Sequence, residues 1–229
     1  MRPTTREDAS VAVRVPVGRI DLSADVVRPD RACGLVIFAH GSGSSRHSPR
    51  NRRVAEFLNQ SAIGTMLIDL LTAGEEAVDR RTGELRFDIS LLGQRLVAIT
   101  DWVCRQPFLS NLGIGYFGAS TGAAAALVAA AERPAVVQAV VSRGGRPDLA
   151  GEALRRVLAP TLFVVGGNDP VVLDLNCLAM AALPRQTDHS IRVIPGASHL
   201  FEESGTLDQA ASLARDWFRD HLQPVPRRA

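Results

Sequence analysis

From about residue 34 onward the chain alternates between short, uninterrupted apolar runs and longer stretches whose apolar residues recur every three or four positions. The runs GLVIFAH (34–40), TMLIDLL (65–71), LGIGYFG (112–118), VQAVVSRG (137–144), TLFVVGG (161–167) and SIRVIPG (190–196) read as strands. Most end at glycine or a polar loop, as strands buried on both faces do. Between the first two, SPRNRRVAEFLNQSAI places Val54, Phe57, Leu58 and Ile63 near helical spacing. The segment DISLLGQRLVAITDWVCRQ likewise sets Leu91, Leu92, Leu96, Ile99 and Val103 on one face. Further helices are predicted from Thr121 and over 149–157, 173–183 and 207–222, whereas TAGEEAVDRRTGELRF (72–87) reads as a polar loop.

Ahead of this pattern, VAVRVPV (11–17) and IDLSADVVRP (20–29) alternate apolar with polar residues around Gly18, the period of half-exposed strands and hence of an edge hairpin. Together these elements predict an α/β fold: a doubly wound, mostly parallel sheet of about eight strands with helices on both faces. In such a sheet ligands sit at the carboxyl ends of the strands. One domain over 1–229 is expected, with 1–9 and 223–229 as flexible tails.

Composition narrows the function classes. The 26 basic and 24 acidic residues are dispersed, giving a formal charge of +2 and no electrostatic footprint for nucleic acid. No segment approaches the roughly 18 apolar residues of a membrane span, and the start MRPTTREDASVAV lacks a signal-peptide core. A soluble cytoplasmic protein is expected. Cys33, Cys104 and Cys177 are far apart and lack CxxC spacing, so they predict buried apolar residues in a reducing compartment, with neither a disulfide framework nor a metal site.

The chemistry concentrates at strand ends. Gly118-Ala119-Ser120-Thr121-Gly122 is a GxSxG match that follows an apolar strand and opens a helix, the setting in which a sharp turn presents a serine hydroxyl above a sheet. The overlapping GxGxxG from Gly113 to Gly118 lies inside the strand and lacks an acidic residue about twenty positions on, which argues against a dinucleotide site. A serine needs an imidazole to take its proton and a carboxylate to orient that imidazole. Asp169, in VVGGNDPVV, and His199, in VIPGASHLF, follow the last two strands and are the candidates; Asp148 is a weaker acid candidate, farther from its strand. The backbone N–H groups of Ser42, in FAHGSGSS, and of Thr121 are candidates for an oxyanion hole, with His40 supporting the loop. Arg46 and Arg50, with His47, follow that loop, and Arg143 and Arg146 follow the sixth strand. Either group is placed to pair with a substrate carboxylate or to form salt bridges at the sheet's rim, and the rim reading is preferred.

On HGSG at 40–43, GASTG at 118–122, GGND at 166–169 and GASHLF at 196–201, the chain resembles the α/β-hydrolase superfamily and, in its lidless form, the dienelactone-hydrolase-like branch. The resemblance implies a Ser–His–Asp hydrolase of esters or related acyl substrates that uses no cofactor, metal or organic. Dienelactone hydrolases proper carry a cysteine where Ser120 stands, so dienelactone does not follow as the substrate. The connection between 144 and 161 is too short for a helical cap, which predicts an open site. Three functions are carried forward: hydrolysis, a non-catalytic ligand-binding or sensor role on the same fold, and acyl transfer or perhydrolysis by the same residues. The expected partner is a small acyl substrate, with no nucleic acid and no membrane; a homodimer is compatible.

Overall fold

Apolar runs can be buried on both faces only if amphipathic segments cover each side, and the chain supplies them in alternation. The computed structural model describes residues 10–226. The five runs β3 (Gly34–Ala39), β4 (Gly64–Ile68), β5 (Gly113–Ala119), β6 (Val137–Arg143) and β7 (Thr161–Gly166) are buried almost throughout. β8 (His189–Ile194) is partly exposed, as an edge strand should be. β1 (Val11–Val17) and β2 (Ile20–Val27) form the expected antiparallel hairpin, turning at Gly18 with φ 61°. The strands form one sheet in the order β1-β2-β4-β3-β5-β6-β7-β8, parallel from β4 to β8, with β2 antiparallel to β4.

Helices α3 (Ile89–Arg105) and α4 (Thr121–Glu132) cover one face, where Leu92, Leu96, Ile99 and Val103 meet a wall of alanines from α4. Helices α1 (Pro49–Asn59) and α6 (Thr206–His221) cover the other through Val54, Leu58, Ala210, Ala214 and Phe218. The glycines of the GxGxxG match serve this packing: a Cβ on Gly115 would lie 2.8 Å from the Phe218 ring. Burying that ring is worth about 1.5–3 kcal/mol, and a side chain at 115 would expel it. Helix α5 (Pro170–Ala182) starts three residues earlier than the apolar pattern predicts, because Asp169 and Pro170 supply an N-cap position and a helix-compatible first residue.

Two elements differ from the sequence pattern. The supposed loop 72–87 contains α2 (Ala73–Thr82) and a 3-10 turn, Leu85–Phe87. This helix lacks an apolar stripe; its ends define it, through a reciprocal capping box between Thr72 and Glu75 and a left-handed Gly83 at the C-cap. The helix expected over 149–157 is a 3-10 segment, Pro147–Arg156, broken at Gly151, whose φ of 54° no regular helix accommodates. The cysteines depart as well: Cys104 and Cys177 are exposed and Cys33 is half-buried. Within the stretch expected to be a tail, Gln223 N–H donates to Gln138 Oε1 and Val225 N–H to Asn111 O; residues 1–9 and 227–229 lie outside the described residues. Among the described residues no helix is long and apolar enough to cross a membrane.

Candidate active site

Ser120 stands between the last residue of β5 and the first of α4, at φ 50° and ψ −125°. A non-glycine residue there stores roughly 1–3 kcal/mol of strain, so the surrounding contacts must hold it. They do so by close packing: a Cβ on Gly122 would lie 2.1 Å from the carbonyl oxygen of Ala39, and one on Gly41 would lie 2.9 Å from Cβ of Ser120. Loop 40–45, β5 and the start of α4 therefore touch backbone to backbone. Ser120 O accepts from Ala123 N–H and from Arg146 N–H, which fixes the turn while its side chain makes no capping bond.

Asp169 occupies the N-cap position of α5 without using its carboxylate as a cap. The carboxylate instead accepts from His199, with Nδ1 to Oδ2 at 2.7 Å. Because a carboxylate can only accept, the hydrogen sits on Nδ1, and Nε2 is left with its lone pair for a proton. The two loops are tied together by Asn168, whose N–H reaches Ala197 O and whose amide reaches Gly196 O at 2.9 Å. Gly144, at the end of β6, brings His199 over the sheet: a Cβ there would meet His199 O at 2.9 Å and Nδ1 at 3.7 Å. Asp148 is engaged elsewhere, accepting both Nε and Nη2 of Arg146 at 2.8 Å.

On the β3–β4 side of Ser120 lies a cleft lined by Ser42, Thr121, Leu71, Leu92, Glu76 and Arg86. Ser42 and Thr121, the residues whose amides are the expected donors, thus border one space. His40 anchors the loop that carries Ser42. Its Nε2 accepts from Leu70 N–H at 3.0 Å, and its Nδ1–H donates to Gly41 O at 3.0 Å. Burial lowers its pKa, keeping the ring neutral in this tautomer. The cleft residues of α2 and the 3-10 turn escaped the sequence reading, and the Thr72–Glu75 capping box was the signal for them.

The three arginines weighed as substrate contacts or as rim salt bridges divide. Arg46 is committed to Asp69, through its guanidinium and through a backbone N–H bond of 2.7 Å, with Asp25 3.6 Å away. Arg146 is committed to Asp148, and the neighbouring Arg50 bonds Glu202 at 2.9 Å. Arg143 has no such partner. It is 6% exposed, its Nε and Nη1 are sealed from solvent without a hydrogen bond among the described residues, and its guanidinium carbon lies 5.6 Å from the centre of the Phe201 ring. Burial, with a smaller contribution from Arg50, pushes its pKa down to about 10, so it stays charged at neutral pH.

The family model for the dienelactone hydrolase family matches residues 53–223. A dienelactone hydrolase from Anabaena variabilis, solved as a crystal structure, is 57% identical, superposes with a TM-score of 0.92, and aligns over 94% of this chain and 99% of its own. Est1E from Butyrivibrio proteoclasticus superposes at 0.75 over 91% of this chain and 98% of its own, but at 16% identity it speaks for the fold alone. A protein of Mycobacterium tuberculosis provisionally named a phosphoribosyl transferase is 55% identical over 92% of this chain and 46% of its own length. This chain therefore spans about half the length of that relative. The sheet and its helices are those of the α/β-hydrolase fold.

Proposed function

This chain belongs to the dienelactone hydrolase family, and from that premise we propose that it is a serine hydrolase of carboxylic esters or related acyl compounds. Membership makes it an α/β hydrolase. The assignment of Ser120 as nucleophile is supported by the Asp169–His199 pair at 2.7 Å and by a serine held in a strained turn at the same carboxyl edge of the sheet, between strand and helix.

In this reading the Ser120 hydroxyl adds to the acyl carbonyl while His199 Nε2 takes its proton, and Asp169 stabilises the imidazolium and fixes its orientation. The amides of Ser42 and Thr121 receive the developing oxyanion. Collapse breaks the bond to the alcohol, which leaves with the proton from His199; water then adds to the acyl-enzyme by the same exchange and releases the acid. Transfer to another acceptor would differ only in that second step. The relative provisionally named a phosphoribosyl transferase matches this chain over 46% of its own length, and most of that shared part is what the dienelactone hydrolase family model matches, which favours hydrolysis over phosphoribosyl transfer for this chain.

The test is labelling by a fluorophosphonate combined with turnover of short neutral esters. Both should be present in the native protein and absent in Ser120→Ala. Ester turnover that survives in that variant removes Ser120 from the role.

A further inference from the structure

We propose that the groove between the β1–β2 hairpin and the loop after β3 binds a polyhydroxyl group, so that the preferred substrates are esters whose sugar or sugar-alcohol portion extends from the Ser120 site. The substrate class rests on the reading of Ser120 as nucleophile, whereas the groove as a binding site does not.

Strand alternation builds one wall of this groove. Val15, Leu22 and Ala24 turn one face of the hairpin into the core. Arg14 pairs in register with Ser23, and Asp21 lies two positions from Ser23, so these three side chains share the opposite face. With Arg46, Asp69 and Glu76 they line a space of about 400 Å³, within the size range of small-ligand sites. Ser45, Asp69, Leu71 and Glu76 also line the cleft beside Thr121, so the groove continues that cleft away from Ser120.

The lining selects by charge and by hydrogen bonding. Arg46 and Asp69 neutralise each other. Arg14, Asp21 and Glu76 make no ion pair or side-chain hydrogen bond among the described residues, which leaves one guanidinium against two carboxylates. A carboxylate or phosphate would meet more like charge than opposite charge there, and an ammonium group would meet Arg14. Leu71 and Ala73 are the aliphatic side chains of the lining, and no Phe, Tyr or Trp joins them, so an alkyl chain, an aryl ring or a quaternary ammonium gains little. A hydroxyl both donates and accepts. Neighbouring hydroxyls of one polyol can therefore donate to Asp21 and Glu76 and accept from Arg14, Ser23 and Ser45, with no net charge brought in.

The experiment sets 6-O-acetylglucose against hexyl acetate, and methyl gluconate against methyl hexanoate, with alanine methyl ester as the amine. In the native protein at least one polyol ester should exceed its alkyl counterpart in kcat/KM by about tenfold, the size of one hydrogen bond to a charged group. The first pair places the polyol on the alcohol side of the ester and the second on the acyl side, so the pair that shows the excess says which side enters the groove. Asp21→Ala and Arg14→Met, both at exposed positions, should each remove most of that excess through KM. Alkyl esters that equal or exceed both polyol esters overturn the inference, as do a preference for alanine methyl ester or losses shared by all the esters in the two variants.

Binding without turnover separates this inference from the hydrolase reading. In Ser120→Ala, methyl glucoside should shift the backbone amide resonances of Ser23 and Ser45, and the shifts should disappear when Asp21→Ala is added. Absence of the shifts overturns the groove as a polyol site. Ester turnover that survives in Ser120→Ala while the shifts persist overturns the role of Ser120 and supports the groove.

Discussion

Ser120 has two flanks, and they treat charged side chains differently. On the β3–β4 flank the buried charged side chains are paired, although Arg46 Nε and the Thr121 hydroxyl make no hydrogen bond among the described residues. Asp79 accepts from Leu85 N–H and Arg86 N–H and from the Arg86 guanidinium; burial alone would push its carboxyl up, yet these donors hold it below the usual carboxylate range. Arg95 joins Glu75 and Leu70 O, and Arg46 joins Asp69. On the β6 flank the Ser142 hydroxyl and two nitrogens of Arg143 are sealed without partners among the described residues. Satisfied groups hold a fold together, whereas an unmade hydrogen bond in a sealed site carries a free-energy cost that a ligand can recover. The first flank is a wall, and the second keeps one charged side chain without a carboxylate partner among the described residues.

The sharpest separation is between activity and stability at the second flank. Ser120→Ala should lower kcat by about 10⁶-fold, and Asp169→Asn by about 10⁴-fold through loss of the correct His199 tautomer, each measured on a short neutral ester. Neither should cost much stability. Ser120→Gly goes further, since glycine accepts the φ of 50° without strain: activity should vanish while chemical denaturation shows a gain of about 1 kcal/mol. A Ser120→Gly protein less stable than the native one would break the comparison, because the strain assigned to the site would then be absent.

How much of this was legible before folding depends on what writes each element. β3 to β8 are written by apolar runs, and α1, α3, α4 and α6 largely by apolar periodicity, signals that survive in one dimension. That Asp169 and His199 lie side by side follows from the strand pattern, since adjacent parallel strands deliver their following loops to one edge. Helix α2 was lost because only Val78 among its ten residues is a large apolar side chain, and its caps, not a buried face, define it. The division among the arginines was illegible for another reason. Arg146 has Asp148 two positions on, but Arg46 and Arg143 are alike as letters, and only the fold brings a distant carboxylate, Asp69, to one of them.

Backbone contact at the elbow offers the next largest effect. Gly122→Ala would push a methyl group to 2.1 Å from Ala39 O, in a place where neither backbone can yield without displacing Ser120. A loss of about 3 kcal/mol in urea unfolding is expected, together with a loss of turnover, so this one position should fail on both measures at once. Gly18→Ala is the control: its φ of 61° carries strain, but a Cβ there meets nothing within 4 Å, so stability should fall by about 1 kcal/mol with catalysis unchanged.

The smallest effect belongs to the wall and should appear only in acid. Glu75 caps α2 through Thr72 N–H and bonds Arg95, and the Arg95 guanidinium, acting chiefly through this hydrogen bond, pulls its carboxyl from the ordinary 4.5 down to about 2. The folded protein thus holds this carboxylate ionised where the unfolded chain would protonate it. Stability from Glu75 is complete above pH 4.5 and is lost as the pH falls from there toward 2. Comparing Tm against pH for the native protein and Glu75→Gln isolates the contribution: the gap between the two curves should close steadily below pH 4.5, with kcat and KM at neutral pH the same in both. A change in KM at neutral pH would mean that the wall also positions substrate, and the division between the two flanks would then have to be redrawn at α2.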